Sequence, residues 1–333
     1  MSQRLPTRLM ILGMARSGTT WLASLFDAHP DVLYRHEPDV VDNGKAELPF
    51  VPAPDADLDD PELLAGARTY LERLSRNSSL KAVGSVRLKG SKTYRPAGLS
   101  AFRTGLIYAL KGVETVSRSQ SIRAWPVPEL ISPAHAEQVF PVIKSVDSLL
   151  RVGIFARAAP ECRFLTILRH PCGQLASTLR GREKGILGGP WRAEDLIRQG
   201  HGEALGFSEA DVRTATDTEL GAMAWALFTD FALRTLEGQS NSRIIAYEAL
   251  AEDPLAETRS LYDWAGLSWH KQTEALIQES LARSGDASGY FALVRDPKAA
   301  AYKWKEQLSG EQISSIKQIA ATSRAWPLVA PYS

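Results

Sequence analysis

Arg8-Leu-Met-Ile-Leu-Gly13-Met-Ala-Arg16-Ser17-Gly18-Thr19-Thr20 is the stretch on which the fold turns. The apolar run up to Leu12, stopped by Gly13, has the length and composition of a strand buried on both faces, as in a parallel sheet. Small and hydroxylated residues follow, and Trp21-Leu-Ala-Ser-Leu-Phe26 then sets Leu22, Leu25 and Phe26 at helical spacing before His29-Pro30 ends the pattern. The chain therefore opens strand, loop, helix. Gly13 and Gly18 have the G-x-x-x-x-G spacing of a phosphate loop, whose small residues let backbone N–H groups converge on an anion at a helix N-terminus. That motif requires Lys after its second glycine, and Thr19 stands there instead. Arg16 keeps a cation in the loop on the near side of Gly18. The competing reading of this segment is a tight strand-to-helix turn capped by Ser17 or Thr19.

Working outward, residues 31–34 read as a second short strand, with Arg35-His36-Glu37-Pro38 as its exit loop. Strands are expected again at 141–145, 163–168 and 243–247, separated by helices near 148–158, 172–182 and 217–236. Further helices are expected near 254–265 and 310–321. Strands alternating with helices imply an α/β fold in three layers, a central parallel sheet flanked by helices, and the whole of 1–333 is read as one domain. Residues 42–135 break this grammar with eight prolines, an acidic stretch at 55–62 and one clear helix near 61–76, and are read as a largely irregular or helical insertion. Within it, 81–111 carries Lys81, Arg87, Lys89, Lys92, Arg95, Arg103 and Lys111 and no Asp or Glu. A run so one-sided is expected either to repel itself into a mobile segment or to face an anionic partner or a membrane surface. A Gly-rich loop through Gly185, Gly188 and Gly189 opens a polar, irregular stretch that lasts until about 216.

Composition narrows the function classes. Of 333 residues, 44% are hydrophobic and 23% charged, and 39 Lys and Arg against 38 Asp and Glu leave a net charge of +1. That balance argues against a nucleic-acid footprint spread over the surface, while leaving room for a local basic site. Cys162 and Cys172 are too few for a disulfide framework and lack paired zinc spacing, so a reducing compartment and no metal are expected. No apolar run approaches the roughly 20 residues that span a bilayer. The segment 1–8 lacks the apolar stretch of a signal peptide, and a cytoplasmic location is expected.

Three spaced elements, Arg16-Ser-Gly-Thr-Thr-Trp21-Leu22, Leu25-Phe-Asp-Ala-His-Pro-Asp-Val32 and Glu37-Pro38, resemble the 5′-phosphosulfate loop and following segment of sulfotransferases dependent on 3′-phosphoadenylyl sulfate (PAPS). The likeness is nearest to the carbohydrate branch, which carries R-S-G-[ST]-[ST], H-P-D-V and E-P in this order. Leu165-Thr-Ile-Leu-Arg169-His-Pro171 with Ser177 is similar to the family's 3′-phosphate motif, with His170 where Asp is usual. An Arg at the carboxyl end of a strand projects into the crevice where open α/β sheets bind ligands, and a Ser two turns into the next helix can reach the same phosphate. Tyr247-Glu248-Ala-Leu-Ala-Glu-Asp-Pro254 and Lys303-Trp304-Lys-Glu-Gln-Leu-Ser309 match later segments, so the likeness covers 8–38, 140–182 and 243–321. Tyr247 is read as a packing residue.

The resemblance implies a P-loop-like fold and sulfuryl transfer from PAPS to a hydroxyl or amine, with 3′,5′-ADP released and no metal required. The acceptor it implies is a small molecule or glycan, anionic if the basic run faces it, with a glycolipid included and nucleic acid excluded. Arg16, Ser17, Gly18, Thr19, Thr20 and Trp21 would hold the 5′-phosphosulfate, and Arg169 and Ser177 the 3′-phosphate. Lys303 is a further candidate for phosphate contact, against a solvated helix-end Lys. Glu37 is the candidate base, with His36 as the alternative because imidazole titrates near neutral pH. Lys144, ending its strand, would stabilise the sulfuryl group together with Arg16. Two other classes compete: a P-loop nucleotide or small-molecule kinase, and a non-enzymatic nucleotide-binding protein. The missing loop Lys and the absence of a Walker-type Asp weigh against the kinase.

Overall fold

The computed structural model describes residues 6–40, 48–84, 91–187, 192–282 and 296–333. Strand β1 (Leu9–Leu12) leads through the glycine loop to helix α1 (Thr19–Asp27) and then to β2 (Val32–His36). The expected insertion contributes α2 (Pro61–Arg76), α3 (Leu80–Gly84) and α4 (Ala97–Ser117). Regular alternation resumes with β3 (Phe140–Ser145), α5 (Val152–Ala158), β4 (Arg163–Leu168) and α6 (Pro171–Glu183). Two short helices, α7 (Ala193–Arg198) and α8 (Glu209–Thr214), precede the long α9 (Asp217–Leu236) and β5 (Ser242–Ala246). The chain closes through α10 (Tyr247–Glu252), α11 (Pro254–Ala265), α12 (Lys271–Leu281), α13 (Pro297–Tyr302) and α14 (Gly310–Ala320).

The five strands form one parallel sheet in the order β2-β3-β1-β4-β5. Leu9 and Ile11 face one side, with Val142, Leu165 and Ile167, and pack against α1, α10, α11 and α12. Met10 and Leu12 face the other, with Ile143 and Phe164, and meet α2, α5 and α9. Each of these nine strand side chains is fully buried, which accounts for the near-continuous apolar runs. The chain leaves β1 first toward β2 and later toward β4, so the crevice outside the carboxyl end of β1 is the topological switch point where such sheets bind ligands.

Helix ends follow local signals. Asp60 accepts the Leu63 N–H at 2.8 Å just before Pro61, and reciprocal capping boxes start α9 (Thr216 with Glu219) and α14 (Ser309 with Gln312). Three expectations need correction. β2 runs on through Arg35 and His36, which pair with Ile143 and Lys144 instead of forming an exit loop. The region read as irregular up to 216 holds α7 and α8, while Gly188 and Gly189 lie outside the described residues.

Where it is described, the acid-free run is largely helical and not a self-repelling segment. It forms α3 and most of the 21-residue α4, and acids from elsewhere in the chain pair with four of its cations. Lys81 meets Glu37 at 3.1 Å, Lys92 meets Asp27 at 3.0 Å, and Arg95 and Arg103 converge on Glu129 at 3.4 and 3.2 Å. Arg87 and Lys89 lie outside the described residues.

The α5–α9 contact depends on a missing side chain. A Cβ on Gly153 would fall 2.3 Å from Thr235 Cβ and 2.8 Å from the Thr235 carbonyl oxygen. Gly153→Ala is expected to cost about 1–3 kcal/mol through forced separation of the helices, read as a lower urea midpoint. An unchanged midpoint would mean that the two helices part without loss.

Candidate active site

The loop after β1 is closed from below. A Cβ on Gly13 would lie 2.6 Å from the Ile167 carbonyl oxygen, and one on Gly18, whose φ is +91°, would lie 2.2 Å from the Tyr247 ring. Gly18 is the left-handed residue from which α1 starts, so both its conformation and its neighbour exclude a side chain. No side chain caps α1, and its first turn holds no acid. Capping by Ser17 or Thr19 is therefore not what the loop does. Its first N–H groups and the positive end of the helix dipole are left without a capping side chain or a neighbouring acid in the first turn, an arrangement that suits an anion.

Both sequence motifs meet at this loop. Arg16, itself at φ +70°, donates from Nε to Ser177 Oγ at 3.0 Å. Arg169, at the end of β4, donates to the Arg16 carbonyl at 3.0 Å and to the Ala300 carbonyl at 2.7 Å, while its guanidinium lies 4.8 Å above the Tyr247 ring. Arg16, Arg169 and Ser177 thus form one positive cluster beside the uncapped helix. Trp21 packs edge-on against Tyr247 at 5.8 Å, so it braces the loop from within the core. Tyr247 is a packing residue, as expected, and what it packs is Gly18 and Arg169. Lys303 is half-exposed on the turn after α13, three residues beyond the Ala300 carbonyl that Arg169 holds.

His170 is fully buried and turned away from the crevice, stacked on Trp304 at 4.8 Å with Nε2 3.1 Å from Ser333 Oγ. Burial, then the nearby Lys317, Lys305 and Arg169, pushes its imidazole down to about 3. Glu248 accepts the His170 N–H at 3.1 Å and lies near Arg169. Burial raises its carboxyl to about 7 against the pull of Arg169. Sequence reasoning gave Glu248 no role, because its neighbours come from 78 positions away.

The second half of the site lies at the ends of β2 and β3. Lys144, 1% exposed, stands in register with Ile11 of β1 on one side and His36 of β2 on the other. Its ammonium bonds the Glu37 carboxylate, which also meets Lys81 at 3.1 Å and His36 Nε2 at 3.7 Å. Glu37 reaches this position from a left-handed backbone, φ +49°, fixed by its N–H donating to the Lys144 carbonyl at 2.7 Å. Burial alone would raise Glu37, but Lys144, His36 and Lys81 pull it down to about 2. His36, held by the Tyr34 hydroxyl at 2.8 Å from Nδ1, is pushed to about 3 by burial and Lys144, so it is neutral near pH 7. Asp39, missed in the sequence, is buried and accepts hydrogen bonds from the Ser145 and Ser148 hydroxyls, which pins the turn after Glu37 to the end of β3. The crevice thus combines an anion cradle, a cluster of fixed cations and an ionised carboxylate. Such a set can bind an anionic donor and accept a proton. Among the described residues, no group of three or more His, Cys, Asp or Glu side chains is placed to hold a metal ion.

A model of the sulfotransferase family matches residues 8–271. Human carbohydrate sulfotransferase 5 is 24% identical over 333 residues, spanning 94% of this chain and 75% of that protein. Human carbohydrate sulfotransferase 6 is 24% identical over 335 residues, with coverage of 94% and 78%. Among solved structures, the sulfotransferase domain from the curacin biosynthetic pathway is 16% identical, covers 96% of this chain and 98% of that one, and gives a TM-score of 0.42. Mouse sulfotransferase SULT7A1 complexed with PAP is 11% identical with coverage of 94% and 82% and a TM-score of 0.40.

The buried imidazoles set an acid sensitivity. His36 and His170 take up protons near 6.5 when unfolded but only near 3 when folded, so stability falls as pH drops from about 6.5 toward 3. Glu37 adds a loss below its ordinary 4.5 that is complete near 2. Glu248 acts oppositely, its contribution being full below 4.5 and lost as pH rises through about 7. His170→Gln is expected to flatten the decline in urea midpoint between pH 7 and 5 relative to the unaltered protein. Equal slopes in both would show that His170 titrates alike in the folded and unfolded chain.

Proposed function

Since the chain belongs to the sulfotransferase family, we propose that it transfers a sulfuryl group from PAPS to a hydroxyl of a carbohydrate or glycolipid acceptor, releasing 3′,5′-ADP. The observation that carries this reading is the meeting of Arg16, Arg169 and Ser177 beside the uncapped N-terminus of α1. PAPS carries two separate anionic groups, and the site offers two adjacent cation-rich positions. Ser17, Gly18, Thr19 and Thr20 with Arg16 would hold the 5′-phosphosulfate on N–H and hydroxyl donors, with Trp21 bracing the loop. Arg169 and Ser177, extended by Lys303, would hold the 3′-phosphate.

PAPS supplies the sulfuryl group in line to the acceptor oxygen. Glu37 accepts the acceptor's proton as the new S–O bond forms, and the electrons of the broken S–O bond stay on the leaving phosphate. Lys144 and the loop N–H groups stabilise that charge. An anion drawn to Lys144 would loosen its hold on Glu37 and raise that carboxyl from about 2, giving the base strength only when the site is filled. His36, neutral and tied to Tyr34, would orient the carboxylate, and it remains the alternative base.

The whole chain acts here as one domain, with 42–135 shaping the acceptor side. Two free, buried thiols, Cys162 and Cys172, support a reducing, cytoplasmic setting. Among the described residues, no helix is long and apolar enough to cross a membrane.

3′,5′-ADP should raise the thermal midpoint, and a protein indifferent to it would end the cofactor assignment. Arg169→Ala is expected to weaken 3′,5′-ADP by about 10–100-fold, the worth of a charge-assisted contact, with a much smaller effect on 5′-AMP. Equal losses for the two nucleotides would refute the 3′-phosphate role. With PAPS and a panel of glycan acceptors, Glu37→Gln should lower turnover by about 10²–10⁴-fold. Near-normal turnover in that variant, with collapse in His36→Ala, would move the base to His36.

A further inference from the structure

Behind the Glu37 end of β2 lies a pocket walled by that strand, α3 and the inner face of α4. Three arginines enter it from separate parts of the chain: Arg35 on β2, Arg95 just before α4 and Arg103 within α4. Their side chains are 5%, 6% and 5% exposed, and all three converge on one carboxylate, Glu129, at 2.7, 3.4 and 3.2 Å. The other charged pair on the wall, Lys92 with Asp27, neutralises itself at 3.0 Å. Among the described residues the pocket therefore holds a surplus of two positive charges.

Buried charge without a counter-ion is costly, and a guanidinium carries five N–H donors that each require an acceptor. Arg95 and Arg103 spend their Nε atoms on the Glu129 and Pro128 carbonyls at 2.9 and 2.8 Å, but Arg35 Nε is fully buried with no hydrogen-bond partner. Burial and the two neighbouring guanidiniums push Arg103 below its ordinary range, with Glu129 opposing them. One carboxylate thus does the work of three, and a second oxyanion would relieve the deficit. Guanidinium forks match the planar carboxylate and the tetrahedral sulfate alike.

The pocket also has an address. Arg35 lies two residues before Glu37, about 6–7 Å along the strand. Tyr34, on the pocket wall, hydrogen-bonds His36, and Ala82 on the wall follows the Lys81 that pairs with Glu37. An acceptor anchored here would extend toward the candidate base. We propose that Arg35, Arg95 and Arg103 form an anion-binding subsite for an acidic group of the acceptor, a carboxylate or a sulfate ester, so that the preferred acceptor is an acidic sugar chain. The acceptor part of this inference rests on the sulfotransfer reading; the anion site itself does not.

Calorimetric titration with D-glucuronate, inorganic sulfate and neutral D-glucose tests it on the unaltered protein, Arg103→Gln and Glu129→Gln. Arg103→Gln should weaken glucuronate or sulfate at least tenfold. Glu129→Gln should tighten the same anion several-fold by removing the resident competitor, a gain that misfolding cannot imitate. Glucose should not bind measurably in any of the three. Preference for glucuronate would identify a carboxylate ligand and preference for sulfate a sulfate ester. Equal anion affinity in all three proteins, or weakening in both variants, would overturn the subsite and leave a structural ion cluster. 3′,5′-ADP affinity measured in the same samples separates the two claims. Its absence with the Arg103 and Glu129 responses intact sinks sulfotransfer and keeps the anion site, whereas its presence without those responses sinks the subsite alone.

Discussion

An ammonium group buried at the end of a central strand needs an anion, and Lys144 obtains one by bending the backbone of Glu37 into a left-handed turn. Much of the site follows from that pair. The turn ends β2 after His36, brings His36 within reach of the same carboxylate and sets Asp39 where the Ser145 and Ser148 hydroxyls can fix it. Removing either partner would leave the other charge buried and uncompensated, which costs far more than the pair itself contributes. Lys144 is also the bridge between the halves of the crevice, because it stands in register with β1, whose loop holds the anion cradle.

The net charge of +1 conceals this segregation. Arg16, Arg169 and Lys144 gather around the switch point, Lys81 joins them from the insertion, and Lys92, Arg95 and Arg103 of that run are drawn to Asp27 and Glu129. Part of the charge that looks one-sided over thirty residues of sequence is therefore paired in space. The pairing is unequal, and the inequality sits beside the candidate base instead of on the outer surface.

What could be read from the sequence is what local chemistry decides. Apolar runs located β1 and β4, and the helices expected near 61–76, 217–236 and 310–321 are α2, α9 and α14. Arg16, Arg169 and Ser177 were singled out through the resemblance of their segments to the sulfotransferase motifs, and the hydrogen bond that joins Arg16 to Ser177 lies beyond any local pattern. α4 was not legible: only Arg103 and Ile107 of its 21 residues are buried, so it carries no apolar stripe of helical period. Its glycines at 98, 105 and 112 face open space and add no packing signal. Arg35 and His36 read as loop because they are polar, yet both are buried. Their burial depends on Glu129, Tyr34 and Lys144, partners that no local pattern announces.

The insertion is consequently packed onto the end of β2, in contact with Glu37 and Arg35. α3 sends Lys81 to Glu37 and lines the arginine pocket with Ala82 and Val83, so one short helix touches both the Glu37 carboxylate and the arginine wall. A change that tilts α3 would alter the strength of the base and the shape of the pocket together. The electrostatics agree with that coupling, since Lys81 is among the charges that hold Glu37 ionised and His36 neutral.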